Sequence, residues 1–168
     1  MPWQNDSGCT RRQPKEQDIV KAAVFERHLH TDTRDWALWE DTVLKKGAVA
    51  TSVAMIPYLI VVGPMTGIWY WPPTAVRKNR GGLAVAAEGQ VLGELALPIG
   101  GVMSRLSVEE VEEQLQALKV LTRQLGISSD IDAFMTLAFV SLPVIPKLRI
   151  NTYGVIDVDR QKQVPPSF

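Results

Sequence analysis

The chain has 168 residues with 18 basic and 18 acidic side chains, enough for one ordinary domain and without a net field that would draw nucleic acid or an anionic bilayer. An eight-stranded α/β barrel needs about 250 residues and does not fit. The single cysteine, Cys9, excludes an internal disulfide and fits a reducing, cytoplasmic setting, and the N-terminus lacks the basic-then-apolar pattern of a secretory signal.

Residues 1–17 are polar, contain Gly8 and Pro14 and show no apolar period, so they read as a disordered arm or linker ahead of a domain over 18–168. Ile19, Val20, Val24 and Phe25 form a short β-branched run that tilts toward a strand. Leu83 to Ala87, a Glu88-Gly89 turn and Gln90 to Leu97 read as a hairpin, because glycine reaches the positive φ of a tight turn. Pro98, Gly100 and Gly101 close its second strand. Ser107-Val-Glu-Glu110 is a capping box: the serine hydroxyl accepts the free amide three residues on, and Glu110 reaches back. From there Val108, Val111, Leu115, Leu118, Leu121 and Leu125 repeat at three and four, an apolar stripe for a helix over 107–125. Glu109, Glu110, Glu112 and Glu113 complement its positive end, and Gly126 stops it. Phe134 to Val140 is an apolar run ended by Pro143 and Pro146, and Tyr153-Gly154 marks a turn before Val155 to Val158. The expected fold is α+β, a mainly antiparallel sheet with the long helix packed across it and no TIM barrel.

Two segments of the back half, Gly89-Gln-Val-Leu-Gly-Glu-Leu-Ala-Leu-Pro-Ile-Gly-Gly-Val-Met-Ser104 and Phe134-Met-Thr-Leu-Ala-Phe-Val-Ser-Leu-Pro-Val-Ile-Pro-Lys-Leu-Arg149, resemble the C-terminal domain of the bacterial adenine deaminases. In the front half Asp18-Ile-Val-Lys21, Val24-Phe-Glu-Arg-His28, Leu44 to Ala54 and Leu59-Ile-Val-Val-Gly63 resemble it too. That family consists of metal-dependent amidohydrolases. The resemblance implies hydrolysis of adenine to hypoxanthine and ammonia in a longer parent, with manganese or iron held in a barrel outside this chain. On this reading the chain carries only the tail, no cofactor of its own, and no activity alone.

The stretches between those matches depart from the family. After the equivalent of Ala54 the family has A-H-D-S-H-N, where this chain reads Met55-Ile-Pro-Tyr58; it next has T-N-D-x-D-M-x-x-A, where this chain reads Pro64-Met-Thr-Gly-Ile-Trp-Tyr-Trp-Pro72. Trp and Met have single codons, which nearly fixes the underlying bases. Moved back by one base, Pro64 to Pro72 forces D as its third residue and V-L-A as its last three, and permits T-N-D-G-D-M-V-L-A. Met55-Ile56-Pro57 permits H, forces D and permits S. Asp35 to Val43 permits L-G-F-V-G-G-Y-G, similar to the family segment before its L-K-K-G. Four of the five tryptophans fall in these windows. Small compensating frame shifts in the gene, or in its reading, are the expected cause. Aromatic side chains in place of small or acidic ones cost about 1–3 kcal/mol each, so poor solubility is expected. Pro72-Pro73 are further expected to block an early helix start.

Each candidate constellation has a plain reading beside it. The uncharged stretch Gly47 to Val76 is long enough to span a bilayer and ends near Trp69-Tyr70-Trp71. Pro57, Pro64, Gly63, Gly67 and basic flanks on both sides (Lys45, Lys46, Arg77, Lys78) favour two buried strands instead. His28-x-His30 imitates a two-histidine metal grip, but these are the only histidines and a catalytic site needs about three protein ligands. Gly100-Gly101 would let backbone approach a ligand or simply leave a strand. Asp157 and Asp159, two apart, would share a strand face as solvated carboxylates. Thr51 and Ser52 adjoin the missing H-D-S-H and have no base to activate them. We therefore assign no catalytic, cofactor-binding or metal residue to this chain. The expected partner is an amidohydrolase barrel, joined upstream or encoded separately as a subunit on which this chain docks. Adenine is a ligand only of the full enzyme, homo-oligomers are compatible, and nucleic acid and membrane are not expected.

Overall fold

The structure, a computed structural model, describes residues 19–28, 33–40, 44–54, 58–64 and 71–165. Strands β1 (Ile19–Glu26), β2 (Arg34–Glu40), β3 (Ala48–Thr51), β4 (Tyr58–Gly63), β5 (Gly82–Ala87) and β6 (Gln90–Ala96) form one sheet in the order β2-β1-β4-β3-β5-β6. Every neighbouring pair is antiparallel. Strands β7 (Leu148–Asn151), β8 (Gly154–Asp157) and β9 (Lys162–Val164) make a second antiparallel sheet. Helices α1 (Trp71–Lys78), α2 (Val108–Gln124) and α3 (Ala133–Val140) complete an α+β fold.

The central strands read as continuous apolar runs because both faces of the large sheet are covered. Val49, Ile60, Val62, Leu83 and Val85 point into the larger core with Leu118, Leu125, Phe134 and Leu137 of the α2–α3 side. Ala50, Leu59, Val61 and Ala84 point the other way, onto Ala75 and Val76 of α1. Small side chains on both partners let α1 lie close to the sheet. The two strands expected within Gly47 to Val76 are β3 and β4, and no helix among the described residues is long and apolar enough to cross a membrane.

The β5–β6 hairpin turns on Glu88 and Gly89, both at positive φ (53° and 80°), the backbone of a two-residue turn whose twist matches its strands. Helix α2 carries the full capping box: Ser107 Oγ accepts from the Glu110 amide at 3.2 Å and the Glu110 carboxylate accepts from the Ser107 amide at 2.8 Å. At its far end Gly126 (φ 111°) and Ile127 donate back to Arg123 and Thr122, a Schellman closure. The Leu125 carbonyl accepts from the Lys45 and Lys46 amides, so the strand-entry loop caps the helix.

Two expectations change. Val108 is 81% exposed, so the buried stripe of α2 starts at Val111; the helix begins beyond the part of the sheet it covers, and Thr122 joins the buried face instead. Pro72 and Pro73 do not delay α1, which starts at Trp71 with both in its first turn, where a missing N–H forfeits no intrahelical bond. The apolar run at Phe134 to Val140 is helix α3, capped by Asp132, whose carboxylate accepts from the Phe134 and Met135 amides. Of the expected frame-shift windows, 41–43, Met55 to Pro57 and 65–70 lie outside the described residues, as does the arm at 1–17. Asp35 to Glu40 form most of β2, where Lys21 Nζ sits 4.3 Å from the Trp36 ring centre and Trp39 packs against the core.

Candidate functional site: an arginine–serine–glycine knot

Several polar residues and glycines converge at one end of the large sheet. Strand β1 delivers Arg27 and β3 delivers Ser52, each just past its last residue, the turn after α1 supplies Arg80-Gly81, and the loop after β6 brings in Gly100-Gly101. Ser52 is fully buried, accepts from the Gly82 amide at 2.7 Å and donates to the Gly101 carbonyl at 2.6 Å. Its own amide donates to the Gly82 carbonyl at 2.9 Å, continuing the β3–β5 ladder by one residue. Arg27 donates to the Ser52 carbonyl at 3.3 Å and the Arg80 carbonyl at 3.4 Å. Burial pushes the Arg27 guanidinium below its ordinary pKa, and the two carbonyls supply the acceptors a half-buried cation needs.

Glycine is required here by contact. A Cβ on Gly101 (φ 81°) would fall 2.1 Å from Arg27 Nη2, and one on Gly81 (φ 139°) would fall 2.3 Å from the Gly101 Cα. The Pro98-Ile-Gly-Gly101 turn therefore admits a close approach, as its glycines suggested, but what approaches is the protein's own Arg27 and Ser52.

This geometry is structural and not nucleophilic. The single Ser52 proton is directed at a carbonyl and its lone pair at an amide, and no base is among its bonded partners, so nothing activates the oxygen. Thr51 is buried too, accepting from the Val53 amide at 2.9 Å. His28 is exposed with its amide bonded to the Glu26 carboxylate, and His30 lies outside the described residues. Asp157 and Asp159 do not share a strand face: β8 ends at Asp157, which caps the following turn through the Arg160 amide at 3.0 Å and pairs with Arg160 Nε at 3.6 Å, while Asp159 is exposed in that turn. The chain turns where the two-residue alternation would have had to continue. Among the described residues no three His, Cys, Asp or Glu side chains stand together to hold a metal.

Sequence reasoning passed over Arg27, Gly81 and Gly82. The available signals were the Glu26-Arg-His28 match and the adjacent Gly81-Gly82 pair; the bonds that link them through Ser52 join positions far apart in the chain.

Comparison with known proteins agrees with the motifs. A family model described as the adenine deaminase C-terminal domain matches residues 2–162. Adenine deaminase 2 of Carboxydothermus hydrogenoformans is 45% identical over 154 residues, which is 91% of this chain and 27% of that protein. The adenine deaminases of Cereibacter sphaeroides strain ATCC 17025 (39% over 156 residues, 92% of this chain and 27% of theirs) and Kosmotoga olearia (42% over 143 residues, 84% and 25%) are similar in the same way. The chain spans about a quarter of the length of the curated relatives it matches, and it belongs to the adenine deaminase C-terminal domain family.

Proposed function

We propose that this chain is the C-terminal domain of an adenine deaminase and takes part in hydrolysing adenine to hypoxanthine and ammonia only together with the catalytic part of the enzyme. The observation that carries the reading is a family match over nearly the whole chain that accounts for only about a quarter of each relative. Deamination of this kind requires an activated water to attack the purine carbon that bears the amino group. On this reading the metal, manganese or iron, belongs to the preceding barrel. What this chain's own residues do is hold a rigid edge: Arg27, Ser52 and the glycines fix the ends of β1, β3 and β5 beside the connection between β3 and β4, where the family carries H-D-S-H. The windows Asp35 to Val43, Met55 to Pro57 and Pro64 to Pro72 are part of the same reading, as short frame slips within an adenine deaminase gene. The cytoplasm is the compartment that suits it.

The test is ammonia release from adenine with added manganese. The chain alone is expected to give none, and turnover by the isolated chain would overturn the proposal. The nucleotide sequence from upstream of Met1 through Pro73 tests the frame slips: an unbroken frame that spells Met55 to Tyr58 without a single-base irregularity removes them.

A further inference from the structure

Helix α3 is apolar on nearly every side. Ala133, Phe134, Leu137 and Ala138 are buried in the core, yet the outward positions Met135 and Phe139, one turn apart, are 54% and 40% exposed. A helix hydrophobic all round belongs in the interior of something larger. Beside it lies an open hollow of about 850 Å³ between α3, the β1–β2 edge and the second sheet, walled by Ile19, Leu38, Trp39, Phe139 and Leu148. Leu148 is 36% exposed. Thr136 and Arg149 supply the polar rim. Arg149 turns its two terminal nitrogens back on the Leu148 and Pro146 carbonyls at 2.6 and 2.7 Å, while its Nε is buried with no acceptor. A buried charged donor left open costs free energy that a bond to a neighbour would recover.

We propose that this face, the outer side of α3 with the adjoining hollow, is where the preceding three quarters of the adenine deaminase chain packs against this domain, with an apolar side chain in the hollow and a carbonyl or carboxylate on Arg149 Nε. The inference rests on the reading of this chain as a C-terminal domain. Two facts choose that occupant. The relatives carry roughly three times more chain than is matched here, and the match is to their C-terminal domain, so the remainder precedes it. Ile19, where β1 begins, is itself a wall of the hollow, whereas the knot lies past the other end of that strand, about 26 Å away.

The experiment fuses this full chain, with Cys9→Ser, behind the preceding part of the Carboxydothermus enzyme and compares thiol labelling of Met135→Cys with that of Val102→Cys, read peptide by peptide, in the fusion and in the isolated chain. Val102 is exposed on the loop after β6 and does not line the hollow, and it serves as the control. Labelling at position 135 is expected to slow by about tenfold or more in the fusion, as for a surface open a tenth of the time or less, with position 102 unchanged. Equal labelling of position 135 in both proteins, or slowing at position 102 alone, overturns the surface. Amide exchange of α3 in the cysteine-free, otherwise unmutated pair repeats the comparison without either variant. Ammonia release by the fusion is scored separately: turnover without protection of α3 sinks the surface and leaves the functional reading standing, whereas protection without turnover supports the surface and counts against the functional reading.

Discussion

Arg27 and Arg149 are both partly buried arginines whose pKa burial pushes down, and they sit in opposite circumstances. Around Arg27 the chain closes on itself: glycines admit the guanidinium, the Ser52 and Arg80 carbonyls, just past β3 and α1, accept its hydrogen bonds, and Ser52 ties the loop after β6 to β5. Around Arg149 the chain stops short, leaving Nε open at the rim of an apolar hollow. The first is a finished interior and the second has the character of an interface awaiting its other half. Stability of the isolated chain should therefore depend heavily on the knot and little on the α3 face.

The largest effect expected is from Gly81→Ala. The added Cβ meets backbone at 2.3 Å with φ at 139°, so strain and overpacking together should destabilise by on the order of 3 kcal/mol, read as a shifted denaturation midpoint; an unchanged midpoint would mean that the knot is not closely packed. Ser52→Ala should follow at about 2 kcal/mol, because the Gly82 amide and Gly101 carbonyl then lose a buried partner. Ser107→Ala should cost about 1 kcal/mol through loss of the capping box on α2, measurable in the same titration. Asp132 adds a pH dependence. Burial, the largest influence, works to raise its pKa, but the Met135 and Phe134 amides and Lys119, 2.9 Å away, together hold it below the usual carboxylate range. Its contribution is thus complete above the ordinary carboxylate pKa and is lost as pH falls through the depressed folded value; Asp132→Asn should flatten that acid limb of the stability curve. The smallest effect belongs to the other region. Met135→Gln in the isolated chain should stay within about 0.5 kcal/mol of the parent, and a large loss there would erase the contrast.

Legibility in the sequence followed the range of the interaction. Glu88-Gly89, the Ser107–Glu110 box and Gly126 were readable because each signal and its structural consequence lie within a few residues. Val108 shares the apolar face of α2 yet stays exposed, because periodicity says which face a residue shares and not where the sheet ends. Asp157 and Asp159 part company because strand alternation holds only while the strand continues, and β8 ends at Asp157. At the site, the glycines of the 98–101 turn drew attention, but their partner Arg27 joins them across most of the sheet, and no local pattern announces such a pair.

By itself the sequence determined the α+β class, the hairpin, the long helix and the family, since these rest on hydrophobic period, cap and turn chemistry, and motif identity, all carried by neighbouring residues. Only the tertiary structure decided the strand order β2-β1-β4-β3-β5-β6, the coverage of both sheet faces, the closure of Ser52 and Arg27 by glycines, and the outward apolar side of α3. Those outcomes depend on which distant surfaces meet, and the same apolar residue contributes equally to a local pattern whether it ends in the core or at the surface.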